Sequence, residues 1–156
     1  LDAVKRALSE AEVIVLGPGS LFTSVMPNLL LTEMAALLRD VKVPIIYIAN
    51  LMTQPKETEG MNIVAHVDWI ASILGAVPDY ILANQSAIPE EFVTRYASIG
   101  AEPLYLSAKE EEYLESLGSE IIYGDYCEIK NGKYLRHNAK HLSETIMEIV
   151  RGNRKN

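Results

Sequence analysis

Five short runs rich in branched apolar residues recur along the chain with helical stripes between them: Glu12 to Leu16, Val43 to Ala49, Asp79 to Ala83, Pro103 to Leu106 and Glu120 to Tyr123. Runs that are apolar at consecutive positions belong to strands covered on both faces, and a helix between successive strands lets them run parallel. The pattern predicts an α/β fold: a mostly parallel sheet of interior strands, with helices on both faces. The helical stripes fall at Leu30 to Val41, Asn62 to Leu74, Pro89 to Ile99 and Ala108 to Leu117, and Leu1, Val4, Ala7 and Leu8 are spaced for one face of an opening helix. Pro89 suits a first helical position, and Gly75, Gly100 and Gly118 each follow a stripe where a left-handed residue ends a helix. Asn131-Gly132, between two strand-like runs from Cys127 to Arg136, signals a late β-hairpin. A last helix is expected from Asn138, as its N-cap, to Val150, burying Leu142, Ile146, Ile149 and Val150. No linker or composition shift divides residues 1–150, which read as one domain followed by a polar, frayed tail, 151–156.

Composition narrows the class. With 49% hydrophobic and 22% charged residues the chain is not disordered, and a formal net charge of -7 sets its long-range field against phosphate backbones and anionic lipids. Nucleic acid is not an expected partner. No run approaches the roughly 20 apolar residues of a membrane span, and the opening LDAVKRALSEAEVIVLG is not built as a signal peptide. A single cysteine, Cys127, offers no disulfide framework, so the cytoplasm is the expected compartment. Because the chain starts inside a helical stripe without a Met, it reads as a segment of something longer.

Ligands of open α/β sheets bind beyond the carboxyl ends of the strands, so the loops there are the candidate sites. After the first strand comes Gly17-Pro18-Gly19-Ser20-Leu21-Phe22-Thr23-Ser24. Its small residues admit close backbone approach, its three hydroxyls can bond phosphate or sugar oxygens, and a helix starting just past Pro27 and Asn28 would add positive character. It is neither a dinucleotide fingerprint nor a Walker loop, since no G-x-G-x-x-G or Gly-Lys-Ser/Thr occurs there. After the second strand, Asn50 to Gly60 is longer and more polar than an ordinary βα loop. Asn50, Thr53, Gln54 and Thr58 offer amides and hydroxyls that can read a base or sugar, and Glu57 can hold a cation or take a hydroxyl proton. The polar stretch Asn84-Gln85-Ser86 after the third strand ranks behind these two.

Other groups point away from catalysis. His66 reads as a satisfied histidine at the edge of the core. His137 and His141 read as a surface pair, with no H-E-x-x-H spacing for zinc. The acidic neighbours Asp125 and Glu128 should raise the Cys127 thiol pKa and so disfavour a nucleophile. Glu110 to Glu112 with Glu115 reads as a solvated helix face, and Met26, Met34 and Met147 read as core filler.

Three stretches carry a family pattern: Ala11-Glu-Val-Ile-Val-Leu-Gly-Pro-Gly-Ser-Leu-Phe-Thr-Ser-Val-Met-Pro-Asn-Leu-Leu30, Tyr47-Ile-Ala-Asn-Leu-Met-Thr-Gln-Pro-Lys-Glu-Thr-Glu-Gly60 and Ile88-Pro-Glu-Glu91. With the closing Leu135-Arg-His-Asn-Ala-Lys-His-Leu142, the chain resembles the CofD-like family over nearly its whole length, in particular its YvcK, or gluconeogenesis-factor, branch. The resemblance implies a Rossmann-like fold. In that branch it implies a cytoplasmic regulatory protein of carbon metabolism and cell-wall growth, binding a nucleoside diphosphate sugar such as UDP-N-acetylglucosamine, with no required cofactor; a homo-oligomer is compatible with it. The alternative branch implies a magnesium-dependent phospholactyl transferase, whose first loop resembles a GPSNP-type turn instead of the Gly17-Pro18-Gly19-Ser20 found here. The family's opening glycine-rich loop has no match in these residues, so the chain reads as a carboxyl-terminal part. Carry-over and loop chemistry together assign Gly17, Pro18, Gly19, Ser20, Thr23, Ser24 and Asn28 to the diphosphate. They assign Asn50, Thr53, Gln54, Glu57, Thr58 and Asn84 to sugar, base or cation.

Overall fold

The computed structural model describes residues 2–154. Four parallel strands, β1 (Ile14–Leu16), β2 (Ile45–Ile48), β3 (Tyr80–Asn84) and β4 (Glu120–Gly124), lie side by side in chain order. Side chains of a strand alternate between faces. Tyr47, Ala49 and Ile81 therefore join one core, against Ile63, Val67, Ile70 and Leu74 of helix α4 (Ile63–Leu74). Ile46, Ile48 and Leu82 join the other, against Leu142 and Ile149 of helix α7 (Ala139–Arg154). Burial on both faces is what consecutive apolar residues imply, and each fully buried Ile or Leu contributes about 1.5–3 kcal/mol. The remaining helices are α1 (Asp2–Glu10), α2 (Met26–Leu29), α3 (Thr32–Asp40), α5 (Glu90–Ala97) and α6 (Ala108–Ser116). An antiparallel hairpin, β5 (Cys127–Lys130) with β6 (Tyr134–His137), turns through Asn131 and Gly132, both at positive φ. Among the described residues no single helix is long and apolar enough to cross a membrane.

Several expectations are corrected. Pro103 to Leu106 is not a sheet strand: Pro103 forms an isolated antiparallel bridge with Met52, and Leu104 donates its N–H to the Leu51 carbonyl at 2.9 Å. A residue without an N–H cannot continue a ladder, so this segment straps the loop after β2 instead. The strands are not all interior, since β1 and β4 are edges and Val15 is 37% exposed. The helix expected from Leu30 starts at Thr32, and a helical stretch that periodicity missed, a π-helical turn Leu21–Val25 running into α2, precedes it. Pro89 is the N-cap of α5 and not its first helical residue. The last helix continues through Arg154, past the expected end at Val150, so 151–154 are helical; Lys155, Asn156 and Leu1 lie outside the described residues. Met147 is 42% exposed and is not core filler.

The acidic run on α6 is more than a solvated face. Ser107 and Glu110 form a capping box, in which Ser107 N–H donates to Glu110 Oε2 at 2.7 Å, and Asn62 Nδ2 donates to Glu110 Oε1 at 2.6 Å. Asn62 is itself the N-cap of α4, accepting the Ala65 N–H at 2.8 Å. One carboxylate thus ties together the starts of two helices and fixes the far end of the long loop after β2. Tyr123 donates its hydroxyl to Glu111 at 2.7 Å.

Candidate functional site

The two glycine- and amide-rich loops meet. Ser20, in the loop after β1, donates its hydroxyl proton to Glu57 Oε2, in the loop after β2. Gly17 makes the turn off β1 at φ 86°, and a Cβ there would stand 3.2 Å from the Ile48 carbonyl oxygen, so this close crossing of the two strand ends calls for glycine. A π-helical turn begins at Leu21, and the Ser24 and Val25 N–H groups both donate to the Ser20 carbonyl, at 2.9 and 3.0 Å. That turn starts directly after Ser20, earlier than the expected start beyond Asn28.

A cleft of about 440 Å³ opens where the loops converge. Its walls are lined by Pro18, Gly19 and Ser20 after β1, by Asn50 to Pro55 after β2, by Tyr96 of α5 with Ile99 and Ala101 beyond it, and by Leu135, Arg136 and His137 of β6. A small apolar cluster of Leu51, Ile88, Phe92 and Leu135 holds these walls together. The Arg95 guanidinium stacks 4.4 Å over the Phe92 ring and donates to the Lys133 carbonyl at 2.6 Å, which locks α5 to the hairpin turn. His137 Nε2 lies 3.1 Å from the Ala49 carbonyl and fastens β6 to the end of β2.

The predicted site residues do not all meet in this cleft. Pro18, Gly19, Ser20, Asn50, Thr53 and Gln54 line the cleft, and Gly17 and Glu57 support its rim. Thr53 and Thr58 are spent on the fold: Thr53 Oγ1 accepts the Glu102 N–H at 2.9 Å, and Thr58 Oγ1 accepts the Gln54 N–H at 2.8 Å. Ser24 and Asn28 face a separate depression shared with Gly17 and Pro18, Asn28 donating to the Ser24 carbonyl at 2.7 Å. Thr23 is exposed and Asn84 is buried; neither lines the cleft. Asn84 Nδ2 donates to the Ser86 carbonyl, and its Oδ1 accepts the Ser86 hydroxyl and the Tyr126 N–H.

Arg136 and His137 were not singled out as site residues from the sequence. The readable signal was an Arg-His pair ending the second hairpin strand, with the hairpin following the sheet in chain order. The Arg136 guanidinium is steadied by its bond to the Leu135 carbonyl at 2.9 Å and by the Tyr134 ring 5.3 Å away. It gives the cleft a formal positive charge in a chain of net charge -7.

His137 and His141 are not a surface pair, because each ring bonds a different backbone carbonyl, Ala49 and Asp125. His66 is in the core, 1% exposed, but only half satisfied: Nδ1 lies 2.7 Å from the Asn62 carbonyl, and Nε2 has no partner among the described residues. Burial pushes the Cys127 thiol up, with Glu128 adding to it. Burial lowers the pKa of both His66 and His137, against a smaller opposing effect of their backbone hydrogen bonds. A histidine held neutral in the fold takes up its proton more readily when unfolded, so stability is fully present above the ordinary 6.5 and is lost as pH falls below it. Melting temperature should therefore drop between pH 7.5 and 5, and less steeply in His137→Gln; a flat profile in thermal melts would contradict it.

The family model described as "2-phospho-L-lactate transferase CofD" matches residues 1–127. The chain belongs to the CofD family. Within it, the chain is similar to gluconeogenesis factors. It is 44% identical over 152 residues to the "Putative gluconeogenesis factor" of Deinococcus radiodurans, covering 97% of this chain and 31% of that protein. It is 38% identical over 144 residues to the gluconeogenesis factor of Halalkalibacterium halodurans, covering 92% of this chain and 44% of that one. A crystal structure of protein BH3568 from Bacillus halodurans superposes with a TM-score of 0.86 at 34% identity, over 94% of this chain and 46% of the other. The CofD-family chain described here thus spans less than half the length of each of these relatives.

Proposed function

We propose that this chain carries part of the ligand site of a cytoplasmic, nucleotide-sugar-binding regulatory protein that serves carbon metabolism and cell-wall growth. The observation that supports it is the meeting of Ser20 with Glu57 beside a cleft that Gly19 and Arg136 both line. A glycine-containing loop and an arginine lining one cleft suit a diphosphate, while Asn50 and Gln54 suit a base or sugar. The relatives named gluconeogenesis factor support the link to carbon metabolism.

The family model's name favours the second reading, a phospholactyl-type transferase with magnesium. Its fit to the residues is poorer: none of the described residues lining the cleft is a carboxylate, and Glu57, which the second loop brings to the first, accepts the Ser20 hydroxyl. Titration calorimetry of the intact protein with UDP-N-acetylglucosamine should give saturable heat. Arg136→Ala should weaken binding roughly tenfold, the order of one charge-assisted hydrogen bond. Absence of heat with the unsubstituted protein, or donor turnover when magnesium and an acceptor alcohol are both supplied, would overturn the binding-protein reading.

A further inference from the structure

Ser20 and Glu57 come from different loops, and each backbone is anchored where they meet. The Ser20 carbonyl accepts the Ser24 and Val25 N–H groups, which pins the residue at the start of the π-helical turn. On the other side, Gln54 N–H donates to Thr58 Oγ1 at 2.8 Å, and the Gln54 carbonyl accepts the Glu57 and Thr58 N–H groups at 3.2 and 3.0 Å. Lys56, at φ 64°, turns the chain just before Glu57 and donates its N–H to Glu59 Oε1 at 2.8 Å. The bond from hydroxyl to carboxylate therefore joins two anchored turns.

A serine hydroxyl has one proton to donate and lone pairs with which to accept. Here the proton goes to Glu57 Oε2. Ser20 lines the cleft and Glu57 does not, so the carboxylate bears on the cleft through the hydroxyl. What Ser20 has left for a ligand is acceptor capacity, strengthened because the carboxylate polarises the O–H bond. A phosphate oxygen set against it would meet a lone pair instead of a proton, with a negative charge close behind. Arg136 is the one side chain of formal positive charge among the described residues lining the cleft, and it stands on β6, not on this loop.

We propose that Glu57 is a positioning residue that fixes the polarity of Ser20, making it an acceptor for a hydroxyl of the ligand's sugar and keeping the phosphates away from this point. Of the parts of a nucleotide sugar, the terminal sugar is the richest in suitable donors, since each of its hydroxyls carries a proton. The assignment moves Ser20 from the diphosphate, where loop composition put it, to the sugar. It rests on the nucleotide-sugar reading above and adds to it which part of the ligand lies against the first loop.

The test compares UDP-N-acetylglucosamine with UDP, which keeps the base and diphosphate but lacks the sugar, by titration calorimetry of the intact protein and of its Ser20→Ala and Glu57→Gln variants. The unsubstituted protein should bind the sugar-bearing ligand more tightly. Ser20→Ala should weaken that ligand about tenfold and leave UDP within about twofold, the size of one lost hydrogen bond. Glu57→Gln keeps the shape, removes the charge and can donate to Ser20, which frees the hydroxyl proton; UDP should then bind about threefold to tenfold more tightly. A role confined to holding the loops together would change both ligands by one factor. Equal losses for the two ligands in a folded Ser20→Ala, or no gain for UDP in a folded Glu57→Gln, would overturn the assignment. UDP binding the unsubstituted protein as tightly as UDP-N-acetylglucosamine would overturn it whether or not the variants fold. If neither ligand binds the unsubstituted protein, the nucleotide-sugar reading itself falls, and this assignment with it.

Discussion

Gly124→Ala should lower the melting temperature by roughly 6–12 °C, the consequence of about 3 kcal/mol lost in a chain of this size. A Cβ at this last residue of β4 would stand 2.5 Å from Cε1 and Cζ of Tyr126 and 2.9 Å from its hydroxyl oxygen. The ring has little freedom to move aside. It is 2% exposed, packs in the cluster with Leu142 and Ile149, and holds its hydroxyl 3.2 Å from Thr145 Oγ1 and 3.4 Å from the Ile122 carbonyl. Its backbone N–H is fixed as well, donating to Asn84 Oδ1 at 3.0 Å. Thermal melts of Gly124→Ala, Tyr126→Leu and the double variant form a cycle. The double variant should lose clearly less than the sum of the two single losses, since the clash disappears with the ring. A Gly124→Ala melting point within 2 °C of the parent would show that β4 and α7 separate more easily than this packing requires.

Asn84→Leu is expected to cost about 2–4 kcal/mol while leaving nucleotide affinity unchanged in the protein that remains folded. Asn84 is 5% exposed, and its amide joins the end of β3 to Ser86 and to Tyr126. A leucine would leave the Tyr126 N–H without its partner in a place water does not easily reach, the most costly kind of lost hydrogen bond, while the Ser86 carbonyl would keep the Tyr105 hydroxyl at 2.9 Å. Unfolding curves in urea and calorimetry well below the transition separate the two effects. Unchanged stability with abolished binding would return Asn84 to the ligand site, where its position at a strand's carboxyl end first suggested it.

The contrast between these residues shows what could be read from the chain. Strands β2 and β3 were legible because both of their faces are buried, which writes consecutive branched residues into the sequence. The hairpin was legible because Asn131 and Gly132 take the left-handed conformations that such a turn needs. Pro103 to Leu106 has the same apolar look as a strand, yet its partner is a loop and not the sheet; composition does not encode which backbone a segment will meet. The convergence of the loops after β1 and β2 followed from the rule about strand ends in parallel sheets. Which polar groups the fold would consume did not. Thr53 and Thr58 look like ligand hydroxyls in the sequence, and only their partners, Glu102 and the Gln54 N–H, show them to be internal fasteners. The capping box at Ser107 and Glu110 was readable by its spacing. Its second bond, to Asn62, joins residues 48 apart and leaves no trace in local pattern.

The hairpin bears on how such proteins can diversify. The family model's match ends at residue 127, yet Arg136 and His137 lie beyond that point, on a two-stranded hairpin held to the end of β2 by the His137 imidazole, to α5 by Arg95 and to the Phe92 cluster by Leu135. The cleft's cationic residue therefore stands on the hairpin and not on the sheet. Exchanging Cys127–His137 between relatives would transplant a different electrostatic lid onto an unaltered floor, which makes ligand charge a trait able to drift apart from the scaffold that carries it.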